Sequence, residues 1–256
     1  MFKHAIVRQP SKNFAEGLTT FQGPSPNYEK ALQQHEAYCA ALQKCGLELT
    51  RLDPDPIHPD STFVEDAAVV TPNAAILTRP GAKSRAGEVE KIRAPLEKFL
   101  KTIHEITAPG TLDGGDICEA GNHFFIGISR RTNESGATQL AAFLTQSGYS
   151  SSVVDIRGMK SILHLKSGIA CIAERQLVVI EEMAERPEFR GYDLIRVAPE
   201  ETYAANCVRV NDHVLIPTGF PKLAAELTQR GFQLLPLDVS EFQKMDGGLS
   251  CLSLRF

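Results

Sequence analysis

The chain has 256 residues, 43% of them hydrophobic and 23% charged, the balance of a soluble globular protein with length for one large domain or two small ones. A net charge of −4 with scattered basic residues excludes the electrostatic footprint of a nucleic-acid binder. No apolar run approaches the ~20 residues of a membrane span.

Taken in order, the N-terminus lacks the apolar core and cleavage site of a signal peptide, and residues 2–8 read as a first strand. A polar segment, Glu16-Gly17-Leu18-Thr19-Thr20, follows, with the character of a lid between Gly17 and Gly23. A helix is expected over 28–44, ending at Gly46, and then a strand over 47–52. Four hairpins come next. Their arms are 67–70 and 74–77, 116–118 and 124–128, 169–172 and 177–180, and 207–210 and 214–216, each pair flanking a polar turn. Three of the hairpins lead into helix-like stretches at 88–101, 133–146 and 221–230. The first of these carries Val89, Ile92, Leu96 and Phe99 at roughly helical spacing. The third hairpin has only a short connection, 181–190. Third strands are expected at 103–106, 153–156, 194–197 and 232–237, and Gly148 and Gly231 stand where helix C-caps belong.

The N-terminal unit lacks one hairpin arm, and the run 251–255 is an arm without a mate. Pairing the two termini completes a fifth unit. The expectation is an α/β ring of five strand-strand-helix-strand units in one domain, 1–256, sealed by the chain ends. The alternative is an ordinary α/β sheet with coincidental hairpins.

In a ring, equivalent strand ends face one axis, so the residues that enter each hairpin gain interest. They are Phe63-Val64-Glu65-Asp66, Leu112-Asp113-Gly114-Gly115-Asp116, His164-Leu165-Lys166-Ser167, Tyr203-Ala204-Ala205-Asn206 and Asp246-Gly247-Gly248-Leu249-Ser250-Cys251. Singly, each has a plain account: a solvated acidic turn, a Gly-rich turn, a core histidine, a buried cysteine at the head of the last strand. Together, a thiol, an imidazole and a carboxylate to orient it form the set that activates a nucleophile. The further carboxylates suit a cationic substrate. A metal is the weaker reading, since no pair of His or Cys has ligand spacing. The six cysteines form no C-x-x-C pair, which points to reduced thiols in the cytoplasm.

These motifs, in this order and over the whole length, resemble the dimethylarginine dimethylaminohydrolases, guanidine-modifying enzymes with the five-bladed α/β-propeller (pentein) fold. The resemblance implies hydrolysis of methylated arginines to citrulline and a methylamine, with Cys251 as nucleophile, His164 as acid and then base, and Asp113 orienting the histidine. Asp116 competes for that last role. Asp66 is expected to pin the guanidinium by charge-assisted hydrogen bonds, with Glu65 beside it. The family's carboxylate clamp falls on Arg85 and Arg131. Its α-ammonium site falls on Asp60 and the carbonyl of Leu18, and the carbonyl of Met245 contacts the substrate.

Relatives that act on free arginine carry an aspartate two residues after the histidine. Here that position is Lys166, whose stem is expected to point away from the site. The expected partner is a small-molecule methylated arginine, with no cofactor, metal, nucleic acid or membrane. A homodimer stays open. Two other functions are weighed: deiminase-type hydrolysis of an unmodified guanidine, and a non-catalytic propeller that binds arginine-like ligands.

Overall fold

Short apolar runs that alternate with polar turns make hairpins, and each hairpin here supplies two strands of a three-stranded sheet. The computed structural model describes residues 1–256. In chain order its elements are β1 (His4–Arg8), α1 (Tyr28–Lys44), β2 (Glu48–Leu52), β3 (Ala68–Val70), β4 (Ala74–Leu77), α2 (Glu90–Glu97), β5 (Thr102–Glu105), β6 (Ile117–Ala120) and β7 (His123–Ile128). There follow α3 (Glu134–Gln146), β8 (Ser150–Asp155), β9 (Ile169–Ala173), β10 (Gln176–Ile180), β11 (Asp193–Val197), β12 (Val208–Val210), β13 (His213–Pro217), α4 (Pro221–Gln229), β14 (Gln233–Leu237), α5 (Ser240–Gln243) and β15 (Leu254–Arg255).

Five three-stranded sheets result, in the orders β15-β1-β2, β3-β4-β5, β6-β7-β8, β9-β10-β11 and β12-β13-β14. In every one the first two strands are antiparallel and the last two parallel. That register explains the helices: a tight turn joins antiparallel neighbours, but a parallel pair needs a long crossover. α1, α2, α3 and α4 are those crossovers. The β10–β11 crossover has no α-helix, only 3-10 turns at Glu181–Met183 and Pro187–Phe189. β1 and β15 pair antiparallel, so the chain ends complete one blade. The innermost strands β3, β6, β9, β12 and β15 all line one central channel of about 710 Å³, and this defines the ring. The buried apolar clusters lie between neighbouring blades, for instance where Val69 and Ile76 meet Ile117, Phe124 and Ile126.

Local chemistry accounts for the element ends. Asn27 and Asn133 cap α1 and α3, each side chain accepting a backbone N–H at 2.8 Å. Gly148 and Gly231 follow α3 and α4 with φ of +85° and +86°. Three expectations shift. α2 covers only Glu90–Glu97: Lys83–Glu88 forms a 3-10 turn before it, and Pro95 inside it removes one helical hydrogen bond. β8 begins at Ser150, three residues early, because pairing with β7 overrides the poor strand propensity of the serines. Cys251 does not open the last strand: it sits in a 3-10 turn, Ser250–Leu252, and only Leu254–Arg255 pair with β1. The same device recurs. 3-10 turns at Val64–Ala67, Gly114–Asp116, Leu165–Ser167 and Pro199–Ala205 precede the other inner strands, so equivalent turns carry the polar residues to the axis.

Candidate active site

The turns bring His164, Asp113 and Asp66 together, with ligand atoms within 4.8 Å of one another and all three side chains buried. His164 Nε2 donates to Asp113 Oδ2 at 3.1 Å, and Asp113 Oδ1 accepts the Gly81 N–H at 2.8 Å. Asp113 therefore reaches the imidazole. Asp116 does other work. Its Oδ2 accepts the hydroxyls of Ser129 and Thr132, both at 2.7 Å, and its Oδ1 accepts the Leu165 N–H at 3.0 Å. It thus ties the backbone beside His164 to the loop that carries Arg131. Two glycines let these groups approach. A Cβ on Gly115 would lie 2.8 Å from both Asp66 Oδ1 and His164 Nδ1, and one on Gly114 would lie 2.0 Å from the Glu65 carbonyl. The Gly-Gly pair is thus a packing requirement of the site.

Burial alone would lower the pKa of His164, but the carboxylates of Asp66, Asp116 and Asp113 outweigh it and raise it to about 9. Asp66 is pushed up by burial and more strongly down by His164 and Arg85, to about 2, so it stays ionised. Burial raises the Cys251 thiol to about 12, with Glu65 and Asp66 adding to the effect. At neutral pH these shifts favour an imidazolium at His164, a carboxylate at Asp66 and a protonated thiol at Cys251. Asp66, Asp113 and His164 have the spacing of metal ligands, but their charge is already balanced by the imidazolium and by Arg85.

The two arginines differ. Arg85 is buried and donates to Asp66 Oδ2, to both oxygens of Glu88 and to the carbonyls of Asp60 and Phe63. It is neither a surface salt bridge nor a free clamp, but the cation that balances Asp66 and Glu88. Arg131 has a buried Nη1 without a hydrogen-bond partner, the state of a donor that awaits an anion. Their variants should therefore part company. Arg131→Ala is expected to weaken binding of an α-amino acid by about 1.5–3 kcal/mol and to leave methylguanidine affinity unchanged. Arg85→Ala is expected to destabilise the fold by about 3–5 kcal/mol, because it strands buried carboxylates. Isothermal titration and thermal melts on both variants check this. An equal affinity loss with both ligands would take Arg131 out of the clamp.

At the other end, Leu18 N–H donates to Asp60 Oδ1 and Oδ2 at 3.0 and 3.2 Å, so the lid residue and Asp60 do lie together. Met245 is buried in the nucleophile loop. Beneath the site two expectations change. Lys166 does not swing clear: its Nζ lies 2.6 Å from Glu65 Oε1. Glu65 also accepts from Ser250 Oγ at 2.8 Å and from Arg255 at 3.4 Å, so its oxygens are engaged by protein donors. Sequence reasoning missed Asn206 as part of this layer. Its side chain accepts the Ser250 N–H at 3.0 Å and donates to the Lys166 carbonyl and to Ser250 Oγ. Its place at a hairpin entrance was the available signal. A cavity of about 680 Å³ opens beside these loops, lined by Thr20, Phe21, Leu163, Asn206, Asp246 and Gly247 among others.

A family model for arginine deiminase matches residues 93–215. The chain is 45% identical over 257 residues to N(G),N(G)-dimethylarginine dimethylaminohydrolase of Pseudomonas aeruginosa, covering 100% of both chains. A cysteine-to-serine variant of the Pseudomonas aeruginosa enzyme, solved with citrulline, superposes with a TM-score of 0.97 at 44% identity over 100% of each chain. A dimethylarginine dimethylaminohydrolase histidine-to-glycine variant, solved as an adduct with S-methyl-L-thiocitrulline, gives a TM-score of 0.96 at 44% identity and the same coverage. On sequence and fold together, the chain belongs to the dimethylarginine dimethylaminohydrolase family.

Proposed function

We propose that the chain hydrolyses asymmetric dimethylarginine and monomethylarginine to citrulline and dimethylamine or methylamine, through an S-alkylthiouronium intermediate on Cys251. The observation that carries this reading is the buried His164–Asp113 pair beside a second carboxylate, Asp66, at the foot of the loop that presents the thiol. Asp66 holds the guanidinium, and the α-carboxylate meets Arg131. The ammonium lies between Asp60 and the carbonyls of Leu18 and Met245.

A guanidinium carbon is a poor electrophile, and a protonated thiol is a poor nucleophile. The substrate solves the second problem. Glu65 and Asp66 help to hold the thiol protonated, and a guanidinium against Asp66 offsets that field, so the thiol loses its proton to solvent as the cation binds. The thiolate then bonds to the guanidinium carbon. The tetrahedral adduct collapses as its C–N bond breaks, and dimethylamine leaves with the proton of the His164 imidazolium. Neutral His164 then takes a proton from the water that attacks the thiouronium carbon. The second adduct expels the thiolate as the urea of citrulline forms with loss of the hydroxyl proton.

The deiminase alternative draws support from the family-model match. Against it stands Lys166, a cation where a second gripping carboxylate is needed, and its partner Glu65, which it neutralises. Product analysis separates the readings. Asymmetric dimethylarginine should yield citrulline and dimethylamine in equal amounts, and ammonia in place of dimethylamine would reject the proposal.

The pH profile supplies a further check. Loss of the His164 proton should bring kcat/KM down near pH 9. Asp113→Asn removes one of the charges that raise that pKa, so the alkaline limb should move to lower pH. A limb that stays in place would mean that Asp113 does not act on His164. No helix is long and apolar enough to cross a membrane, and all six cysteines are free thiols. A mechanism that requires a free thiol suits the reducing cytoplasm.

A further inference from the structure

The nucleophile loop makes a contact that the chemistry above does not use. Thr20, in the lid segment, donates to Asp246 twice: its N–H to Oδ2 at 2.6 Å and its hydroxyl to Oδ1 at 3.0 Å. Next to it Thr19 Oγ1 donates to the Lys244 carbonyl at 2.8 Å. Asp246 has a φ of +57°, which turns the chain between Met245 and the Gly-Gly pair that leads to Cys251. The loop is held from the other side by Tyr203, whose hydroxyl donates to the Gly247 carbonyl at 2.8 Å. The lid is thus fastened at three successive residues: Leu18 to Asp60, Thr19 to the Lys244 carbonyl, and Thr20 to Asp246. Gly17 seats it closely, since a Cβ there would lie 2.4 Å from Asp60 Oδ1 and 3.2 Å from the Met245 methyl. Thr20, Phe21 and Asp246 all border the cavity beside the site.

We propose that Asp246 is a positioning residue that latches the lid onto the nucleophile loop. The latch fixes the Leu18 carbonyl where the α-ammonium binds, and it screens Cys251 from solution while the substrate is held. This rests on the reading that Leu18 and Asp60 receive the α-ammonium. A short segment held by Asp60 and by the single Thr19 bond retains freedom at its far end. Two hydrogen bonds to one carboxylate remove that freedom, and a pre-ordered carbonyl binds a cation without a further ordering cost.

The test uses Thr20→Val, Asp246→Gly and their combination, with Asp246→Asn as control. Glycine suits the positive φ. Asparagine tolerates it too, and its amide can accept the Thr20 N–H while donating to the Thr20 hydroxyl, so it should restore near-normal behaviour. Asp246→Gly should raise KM for asymmetric dimethylarginine roughly 10-fold, the scale of a charged hydrogen-bonded contact, with a smaller change in kcat. Adding Thr20→Val should make it no worse, because both changes remove one contact. A second readout is alkylation at Cys251, followed by peptide mass spectrometry, with iodoacetamide and with a bulky maleimide. Asp246→Gly should speed the maleimide several-fold more than iodoacetamide. Additive KM effects, failure of Asp246→Asn to rescue, or unchanged maleimide rates would overturn the latch. A des-amino analogue separates the two layers. If Asp246→Gly raises its KM as much as that of the full substrate while the maleimide still speeds up, the latch stands and the ammonium reading falls.

Discussion

Cys251→Ser is expected to lower citrulline formation by roughly 10⁴–10⁶-fold, the range for removing a member of a nucleophilic set that acts as a unit. The fold should change little. The hydroxyl is smaller than the thiol and occupies a half-buried position, and none of the hydrogen bonds that hold the loop uses the sulfur as an essential partner: Ser250 and Asn206 bind each other, and Ser250 Oγ donates to Glu65. The loss is chemical. Burial and the carboxylates of Glu65 and Asp66 already oppose ionisation of the thiol, and an alcohol in the same field, with a far higher intrinsic pKa, would not ionise at all. Substrate binding should survive, because Asp60, Asp66 and Arg131 are untouched. The checks are steady-state turnover, a thermal melt and calorimetric titration of asymmetric dimethylarginine. Substantial turnover, or an adduct mapped by mass spectrometry to any of the other five cysteines, would displace Cys251 from the centre of the mechanism.

His164→Gly should divide the reaction in two. Attack on a substrate whose leaving group needs no proton, such as an S-alkylthiocitrulline, should still load Cys251. Hydrolysis of that adduct should stall, since no base remains to take the proton of water. Turnover of asymmetric dimethylarginine should fall by at least about 10²–10⁴-fold, the usual worth of one acid-base group. The variant also removes the imidazolium that sits among Asp66, Asp113 and Asp116, so it should be less stable at neutral pH than wild type. His164 has a folded pKa raised above its unfolded value, so its stabilising contribution is fully present below the unfolded value and lost as the pH climbs through about 9. The stability gap between wild type and variant should therefore narrow above that pH. Rapid-quench mass spectrometry and melts across pH 6–10 test both parts. Normal turnover would remove His164 from the mechanism.

The blades were legible because their signals are local. Continuous apolar runs such as 74–77 and 177–180, the polar turns and the Asn and Gly caps act within a few residues, and the odd arm at each end of the chain pointed to closure. What escaped is non-local. Lys166 and Glu65 lie in different blades, and nothing near either residue announces the other; their pairing follows from the ring that brings both turns to the axis. The family resemblance placed a ligand clamp at Arg85, yet Asp66 and Glu88 claim most of its donors once the chain folds. Asp113 and Asp116 are equivalent in sequence, three residues apart around two glycines. The 3-10 turn between them decides the matter by aiming one at His164 and the other at Ser129 and Thr132. Cys251 sits in such a turn too. A turn of three residues leaves no periodic trace, so the run from Cys251 to Arg255 reads as a strand.

On the proposed reading the guanidinium meets one carboxylate, Asp66, while Glu65 is paired with Lys166. A free guanidinium would leave donors without acceptors there, whereas a dimethylated nitrogen has no hydrogen to donate and is not penalised. The measurement that tests this most directly is kcat/KM for citrulline formation from asymmetric dimethylarginine, monomethylarginine, symmetric dimethylarginine and arginine under one set of conditions. The asymmetric dimethyl and monomethyl compounds should be good substrates. Arginine should be poor, and so should the symmetric compound, which places a methyl on the nitrogen that Asp66 must hold. A value for arginine that equals or exceeds that for asymmetric dimethylarginine would contradict the account and make the enzyme a deiminase.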